Sequence, residues 1–369
     1  MKVPYNYLPM QFSDLDEIFD EWKRLILSTE FTLGPYVEKF ENEFAKFIGA
    51  KHVISTNNGT DALILALKAC GVGPGDEVIS VPTTFYASIG AIATVGAKPV
   101  FVDIDSRYQI NHAQIEQVIT KNTKAILPVY WGGAAPEMKK IMQIASKYDL
   151  RVIEDACMAP GGHVFERHSG TYGDISAWSM HPLKPLNVMG DGGMVSTDDD
   201  EVAAWMRMYR NHGMVDRDHN NIWGVNMRLQ PLQAIVASKI LMTVDKTVAI
   251  RNKNAQVLDS GLKKLSKYVR VPDRLQGYKE TFSLYMASFD RRDELLKFLN
   301  ASGIEAKIHY KVPLHLQKAA SNLGYREGDF PIAEKYAREI MTIPVHQYLS
   351  EEQLTYVLEM VKKFYKATE

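Results

Sequence analysis

Between about residues 50 and 200 the apolar positions alternate between two spacings. Short runs rich in β-branched residues fall at His52–Ser55, Glu77–Val81, Pro99–Asp103, Lys124–Tyr130 and Arg151–Glu154. Between them, apolar residues recur at helical spacing in Asp61–Cys70, His112–Ile119 and Met138–Tyr148. Strand–helix alternation at this interval predicts βαβ units, a parallel or mostly parallel sheet with helices on both faces. Gly and Pro punctuate the connections, as in GVGPGDE at 71–77. After Asn226 the texture changes. Pro231 opens a stretch of helical character that runs to about Leu265, and proline suits a first helical position because its missing N–H would be unpaired there. A strand-like YKETFSLYMASF, a helix at Arg292–Ala301 and a final helix at Glu351–Tyr365 follow. The pattern predicts an α/β large domain over 1–240 and a smaller α+β domain over 241–369, in line with a length of 369 residues.

Composition removes several classes of function. Apolar residues make up 46% and charged residues 24%, and 43 basic against 44 acidic side chains leave a formal charge of −1. That balance argues against a nucleic-acid partner, though not against a local basic pocket. Cys70 and Cys157 lack metal-type spacing and imply no disulfide framework. No apolar run approaches the ~20 residues a bilayer requires. MKVPYNYLPM lacks the basic-then-apolar pattern of a secretory signal, so no membrane partner and a cytoplasmic location are expected.

Four local features carry chemistry. Lys184 sits in SMHPLKPLNVMGDGG among Met180, Leu183, Leu186, Val188 and Met189, poor company for a solvated ammonium. An amine in a partly desolvated pocket has a lowered pKa and becomes a nucleophile towards carbonyls. Asp155 ends the run RVIED, and ligands bind at the carboxyl ends of parallel strands. Gly59 and Thr60 precede an amphipathic helix, with Asp61 in its first turn, a place where backbone N–H groups receive phosphate. Ser179 can add a hydroxyl. Phe85, followed by Tyr86 after VISVP, can stack on a flat ring. Taken singly, each fits an ordinary role: a surface lysine, a capping aspartate, a capped helix, a core aromatic.

Their order along the chain resembles the DegT/DnrJ/EryC1/StrS sugar aminotransferases of the aspartate-aminotransferase superfamily, pyridoxal-phosphate enzymes of fold type I. The resemblance covers nearly the whole chain, from FTLGPYVEKFENEFAKFIGAKHVISTNNGTDALILAL through GVNMRLQPLQAIVASKIL to IHYKVPLHLQ and GYREGDFPIAEKYAREIMTIPVH. It implies transfer of an amino group from L-glutamate to a keto sugar, nucleotide-linked, by a homodimer with shared active sites. Lys184 would carry pyridoxal 5'-phosphate as a Schiff base and shuttle the proton. Asp155 would pair with the ring nitrogen, Phe85 would stack, and Gly59, Thr60 and Ser179 would hold the phosphate. Asn226 would reach the phosphate of the neighbouring subunit's cofactor. Arg228 follows it, with substrate orientation and loop bracing both open. His309 and Tyr310 match a segment near the sugar pocket, with structural roles equally open.

The departures concern the same region. Met158 stands where glutamine is usual beside the cofactor, and a thioether donates no hydrogen bond. Tyr130 and Ala134 replace the usual His and Gln. Relatives with histidine in place of the lysine act as sugar dehydratases, so a dehydrating or eliminating enzyme is the alternative, and Lys184 favours transamination. A non-catalytic regulator is the remaining one.

Overall fold

The computed structural model describes residues 1–367. Seven strands build the main sheet: β1 (His52–Thr56), β2 (Glu77–Ser80), β3 (Lys98–Phe101), β4 (Thr123–Ile126), β5 (Arg151–Asp155), β6 (Ile175–Ser179) and β7 (Gly193–Thr197). Their order across the sheet is β1-β7-β6-β5-β4-β2-β3. Five neighbours from β6 to β3 run parallel, while β7 is antiparallel to both β1 and β6. Every residue of β2, β6 and β7 is buried. Strands covered on both faces by helices need no polar side, which explains the near-continuous apolar runs. The carboxyl ends of β1, β2, β4, β5 and β6 therefore share one edge of the sheet with the start of β7.

Several expectations need correction. The run from Pro231 is not one helix: α3 (Pro231–Leu241) stops and α4 (Val244–Leu262) begins. Thr243 makes the break, its backbone N–H and hydroxyl both donating to the Ile240 carbonyl at 2.9 and 2.8 Å. A threonine hydroxyl competes with the helical ladder in this way. YKETFSLYMASF is also divided. Tyr278–Lys279 joins a small sheet with His163–Val164, whereas Tyr285–Phe289 is the middle strand of a second three-stranded sheet with Val269–Arg270 and Ile340–Ile343. The strand expected at Lys124–Tyr130 ends at Ile126, two residues before Pro128, which has no N–H for a ladder. The helix after Thr56, α2 (Gly59–Ala69), is buried at six consecutive positions from Ala62 to Leu67 and is not amphipathic.

Two hydrophobic cores form. The first surrounds the main sheet, and the second packs Ala255, Leu258 and Leu262 of α4 against Tyr285, Phe289, Ile343, Leu354 and Val361. Their membership crosses the sequence in two places. Val3 lies in the second core, pairing with Ile304, whereas Leu314, Phe330 and Ala333 pack on the first. No helix among the described residues is long and apolar enough to cross a membrane.

Candidate active site

A cavity of about 280 Å³ opens where the carboxyl edge of the main sheet meets the second core. Gly59, Thr60, Phe85, Asp155, Met158, Ser179, Lys184, His309 and Tyr310 all line it. Asn226 and Arg228 do not. Asn226 Oδ1 accepts from Arg228 Nε at 3.0 Å, and Arg228 Nη1 donates to Asn211 Oδ1 at 3.0 Å, so the two lie outside this chain's cavity.

The sheet side begins with Asp155, the last residue of β5. It is buried, and Ser88 Oγ donates to its Oδ2 at 2.6 Å while the Cys157 N–H donates to its Oδ1 at 3.2 Å. Thr84 supports Ser88 at 2.8 Å. Strand alternation sends the preceding Glu154 to the opposite face. There it accepts from the Tyr172 and Gly173 N–H groups at 2.6 and 2.5 Å, from Ser176 Oγ at 3.2 Å, and from Tyr130 Oη. Burial pushes the Glu154 carboxyl above its usual range against these donors. Tyr130, expected close to the substrate, does line the cavity, but its hydroxyl is committed to Glu154 and the residue is fully buried.

The start of α2 forms the next stretch of wall. Asn58 caps the helix, its Oδ1 accepting from the Asp61 N–H at 2.8 Å. The first N–H groups of a helix have no internal acceptor, and those of Gly59 and Thr60 stand at the cavity. A Cβ on Gly59 would lie 2.7 Å from Ser179 Cβ, so only glycine lets the helix end approach β6 this closely. Absence of a side chain, a helix N-terminus and a hydroxyl together make an anion cradle.

Lys184 lies in the turn after β6. Its carbonyl accepts from Tyr7 Oη at 3.1 Å and Asn187 Nδ2 at 2.9 Å, and Asn187 is in turn locked to Gln11 by two amide hydrogen bonds. Tyr7 and Gln11 belong to an N-terminal strap whose Val3 sits in the second core. Burial lowers the Lys184 pKa, with Cys157 and Asp155 opposing. The same surroundings push the Cys157 thiol well up, mainly by burial.

On the far side, Phe85 is 48% exposed, and its ring lies 6.2 Å from that of Tyr310, which also contacts Tyr86 and Trp131. Burial raises the Tyr310 pKa to about 12. His309 Nδ1 lies 3.0 Å from Thr342 Oγ1, and burial, with Lys307 and Lys184 nearby, holds its pKa at about 4. Met158 presents its side to the cavity while its carbonyl accepts from Thr281 Oγ1 at 2.6 Å. That bond runs beside Gly133, where any Cβ would overlap the Thr281 hydroxyl.

Reading the sequence missed Ser88, Tyr7, Asn58 and Arg251. Ser88, two residues after the Phe85–Tyr86 pair, had a local signal, since a hydroxyl in the first turn of the helix Tyr86–Thr94 can face the strand ends. Tyr7 and Arg251 had none, being brought in by contacts over more than 170 and 90 residues.

Comparison with known proteins accords with this geometry. The sequence model of the DegT/DnrJ/EryC1/StrS aminotransferase family matches residues 13–362. The chain is 40% identical to a pleiotropic regulatory protein of Geobacillus stearothermophilus, over 99% of each chain. It is 37% identical to the UDP-2-acetamido-2-deoxy-3-oxo-D-glucuronate aminotransferase of Pseudomonas aeruginosa, over 90% of this chain and 92% of the other. Among solved structures, S. venezuelae DesV in complex with a ketimine intermediate superimposes with a TM-score of 0.95, at 34% identity over 98% of both chains.

Proposed function

Since the chain belongs to the DegT/DnrJ/EryC1/StrS aminotransferase family, whose cofactor is pyridoxal phosphate, we propose that it transfers an amino group from L-glutamate to a nucleotide-linked keto sugar. The observation that carries this is the convergence of Lys184, Asp155 and the open start of α2 on one cavity. The donor set fits the cofactor. Gly59, Thr60 and Ser179 would hold its phosphate, Asp155 its ring nitrogen, Phe85 its face and Lys184 its aldehyde carbon. Met158 would meet its edge without donating a hydrogen bond. When bound, pyridoxal phosphate supplies an electron sink for the charge left when a substrate carbon loses its proton.

The chain's own groups do the rest. Lys184, its pKa lowered by burial, can exist as the neutral amine needed to take a proton and return it. Ser88 and the Cys157 N–H fix the Asp155 carboxylate so that it meets a ring nitrogen without reorganising. His309 and Tyr310 stand where a sugar ring would enter. The name of the Geobacillus relative suggests regulation, but Lys184 and Asp155 facing one cavity favour catalysis. Two separate cores support a cofactor-binding unit of about 1–240 and a second unit of 241–369, the last two residues lying outside the described ones.

The working unit would be a homodimer with shared sites. Asn226 lies outside its own cavity with its Oδ1 taken by Arg228, which leaves the amide nitrogen for a partner's phosphate. Trp223 is 90% exposed and Met242 83%, and Ile26 and Leu27 of the helix Asp16–Ser28 are also exposed, large apolar side chains of the kind that association covers. Mixing Lys184→Ala with Asn226→Asp tests this: activity should return on subunit exchange, and no recovery would reject the shared site. For the reaction itself, glutamate should bleach the yellow holoenzyme, and mass spectrometry of products from a panel of UDP- and dTDP-linked keto sugars should identify an amino sugar. A protein that stays colourless with pyridoxal phosphate would overturn the reading.

A further inference from the structure

Arg251 projects from α4 into the cavity wall, opposite the sheet side. It is 1% exposed. Its Nε donates to Gln347 Oε1 at 3.1 Å and its Nη1 to the Phe282 carbonyl at 3.4 Å. Nη2 is buried with no hydrogen-bond partner. Among the described residues no carboxylate pairs with this guanidinium. Its titratable neighbours are Tyr5, Tyr7, Tyr348 and His346, and none supplies negative charge.

An arginine does not shed its proton to escape burial, unlike a lysine. A buried cation without a counter-ion carries a large desolvation penalty. The Tyr7 ring, 5.1 Å from the guanidinium carbon, offsets only part of it. The backbone and amide contacts hold the fork in place but add no charge. A guanidinium held rigidly at a cavity wall, with one nitrogen unfilled, matches a planar anion that accepts two parallel hydrogen bonds.

We infer that Arg251 is the carboxylate-recognition residue of this cavity, clamping a carboxylate of the incoming substrate opposite Lys184. The inference rests on the aminotransferase reading and deepens it by naming a substrate group. A carboxylate can come from the amino-acid donor or from an acidic sugar, and the chemistry at Arg251 is the same.

Calorimetry on the holoenzyme separates these sources without turnover. Glutarate stands in for the donor, D-glucuronate for an acidic sugar, and D-glucose is the neutral control. Arg251→Gln should weaken glutarate, glucuronate or both by roughly 10- to 100-fold and leave glucose unchanged. Arg251→Lys should fall between, since it keeps the charge and loses the fork. Gln347→Glu provides a variant that keeps the arginine and gives it an internal counter-ion, so it should weaken the same probe. Loss of glutarate alone assigns the clamp to the donor, and loss of glucuronate alone assigns it to the sugar. A wild type that binds neither acid, or variants that bind both undiminished, would reduce Arg251 to a structural brace. Undiminished binding in variants that still transaminate rejects the clamp alone. Arg251-dependent binding in a protein that never transaminates rejects the reaction and keeps the clamp.

Discussion

The two walls of the cavity are built on different principles. On the sheet wall, Asp155 ends a central strand, and each of its oxygens already has a donor from Ser88 or Cys157. On the opposite wall, Arg251 is just as buried and retains an unfilled nitrogen. The Asp155 carboxylate is held in place before any ligand arrives. The second wall is completed only by what binds. The contrast suits a transaminase that keeps one cofactor through two half-reactions while two substrates take turns: invariant chemistry belongs on the rigid strand ends, and exchangeable recognition on the other core.

The contrast can be broken experimentally. Lys184→Ala should reduce turnover by at least roughly 10⁴-fold with the circular dichroism spectrum unchanged, because it removes both the anchor and the proton carrier. Retained transamination would move the catalytic amine elsewhere. Asp155→Asn should cost roughly 10²- to 10³-fold in kcat with little change in thermal stability, since an amide still accepts from Ser88. If stability collapses instead, the carboxylate is structural.

Gly59→Ala tests the close approach of α2 to β6. The new Cβ meets Ser179 Cβ at 2.7 Å, and relief of such overlap costs about 1–3 kcal/mol. Cofactor affinity, followed by absorbance titration of the apoprotein, should fall about tenfold or more, whereas unchanged affinity would mean the phosphate sits elsewhere.

Acid should strain both cores through buried histidines. His168 in the first is held at about 3 and His346 in the second at about 4, chiefly by burial. Each is satisfied as the neutral ring, with one nitrogen beside a carbonyl oxygen and the other accepting a backbone N–H. Both folded pKa values lie below the ordinary value near 6.5, so the unfolded chain binds the extra protons. Stability is therefore full above about pH 6.5 and declines as the pH falls towards 4, by at most ~1.4 kcal/mol per pH unit for each histidine. Denaturant midpoints at pH 7 and 5 should differ accordingly, and His168→Gln should flatten the difference. The smallest effect on turnover is expected from Tyr130→Phe, which deprives Glu154 of one donor. It should destabilise by about 1–3 kcal/mol and leave kcat within about threefold. A larger loss of kcat would return the hydroxyl to the substrate side.

The alternation of β-branched runs and helical spacing made the sheet legible because strands buried on both faces leave an unbroken apolar signature. The site's sheet wall was legible for the same reason: Asp155, Ser179 and Gly59 all sit at element ends that the pattern marks. What escaped was nonlocal. Nothing near Thr243 announces a helix break, since a hydroxyl turning back on its own ladder leaves the apolar spacing intact. Nothing near Arg251 distinguishes it from the surface arginines of an ordinary helix until Tyr7, Gln347 and Phe282 arrive from three distant segments. Tyr130 was half legible: it lines the cavity, as its place in the sequence suggests, but its hydroxyl is taken by Glu154.

The strap that steadies Lys184 has a consequence for the order in which the molecule is made. Val3 pairs with Ile304, the Lys2 carbonyl accepts from Gln353, and His346 lies 3.0 Å from the Pro4 carbonyl. Pro4 and Lys2 thus wait for partners that lie 342 and 351 positions further along the chain, and contacts this distant in sequence form late. Until they form, Tyr7 has no fixed position from which to hold the lysine turn. The reactive amine is assembled as one of the final acts of folding, so an incomplete chain carries the sheet wall without a working centre.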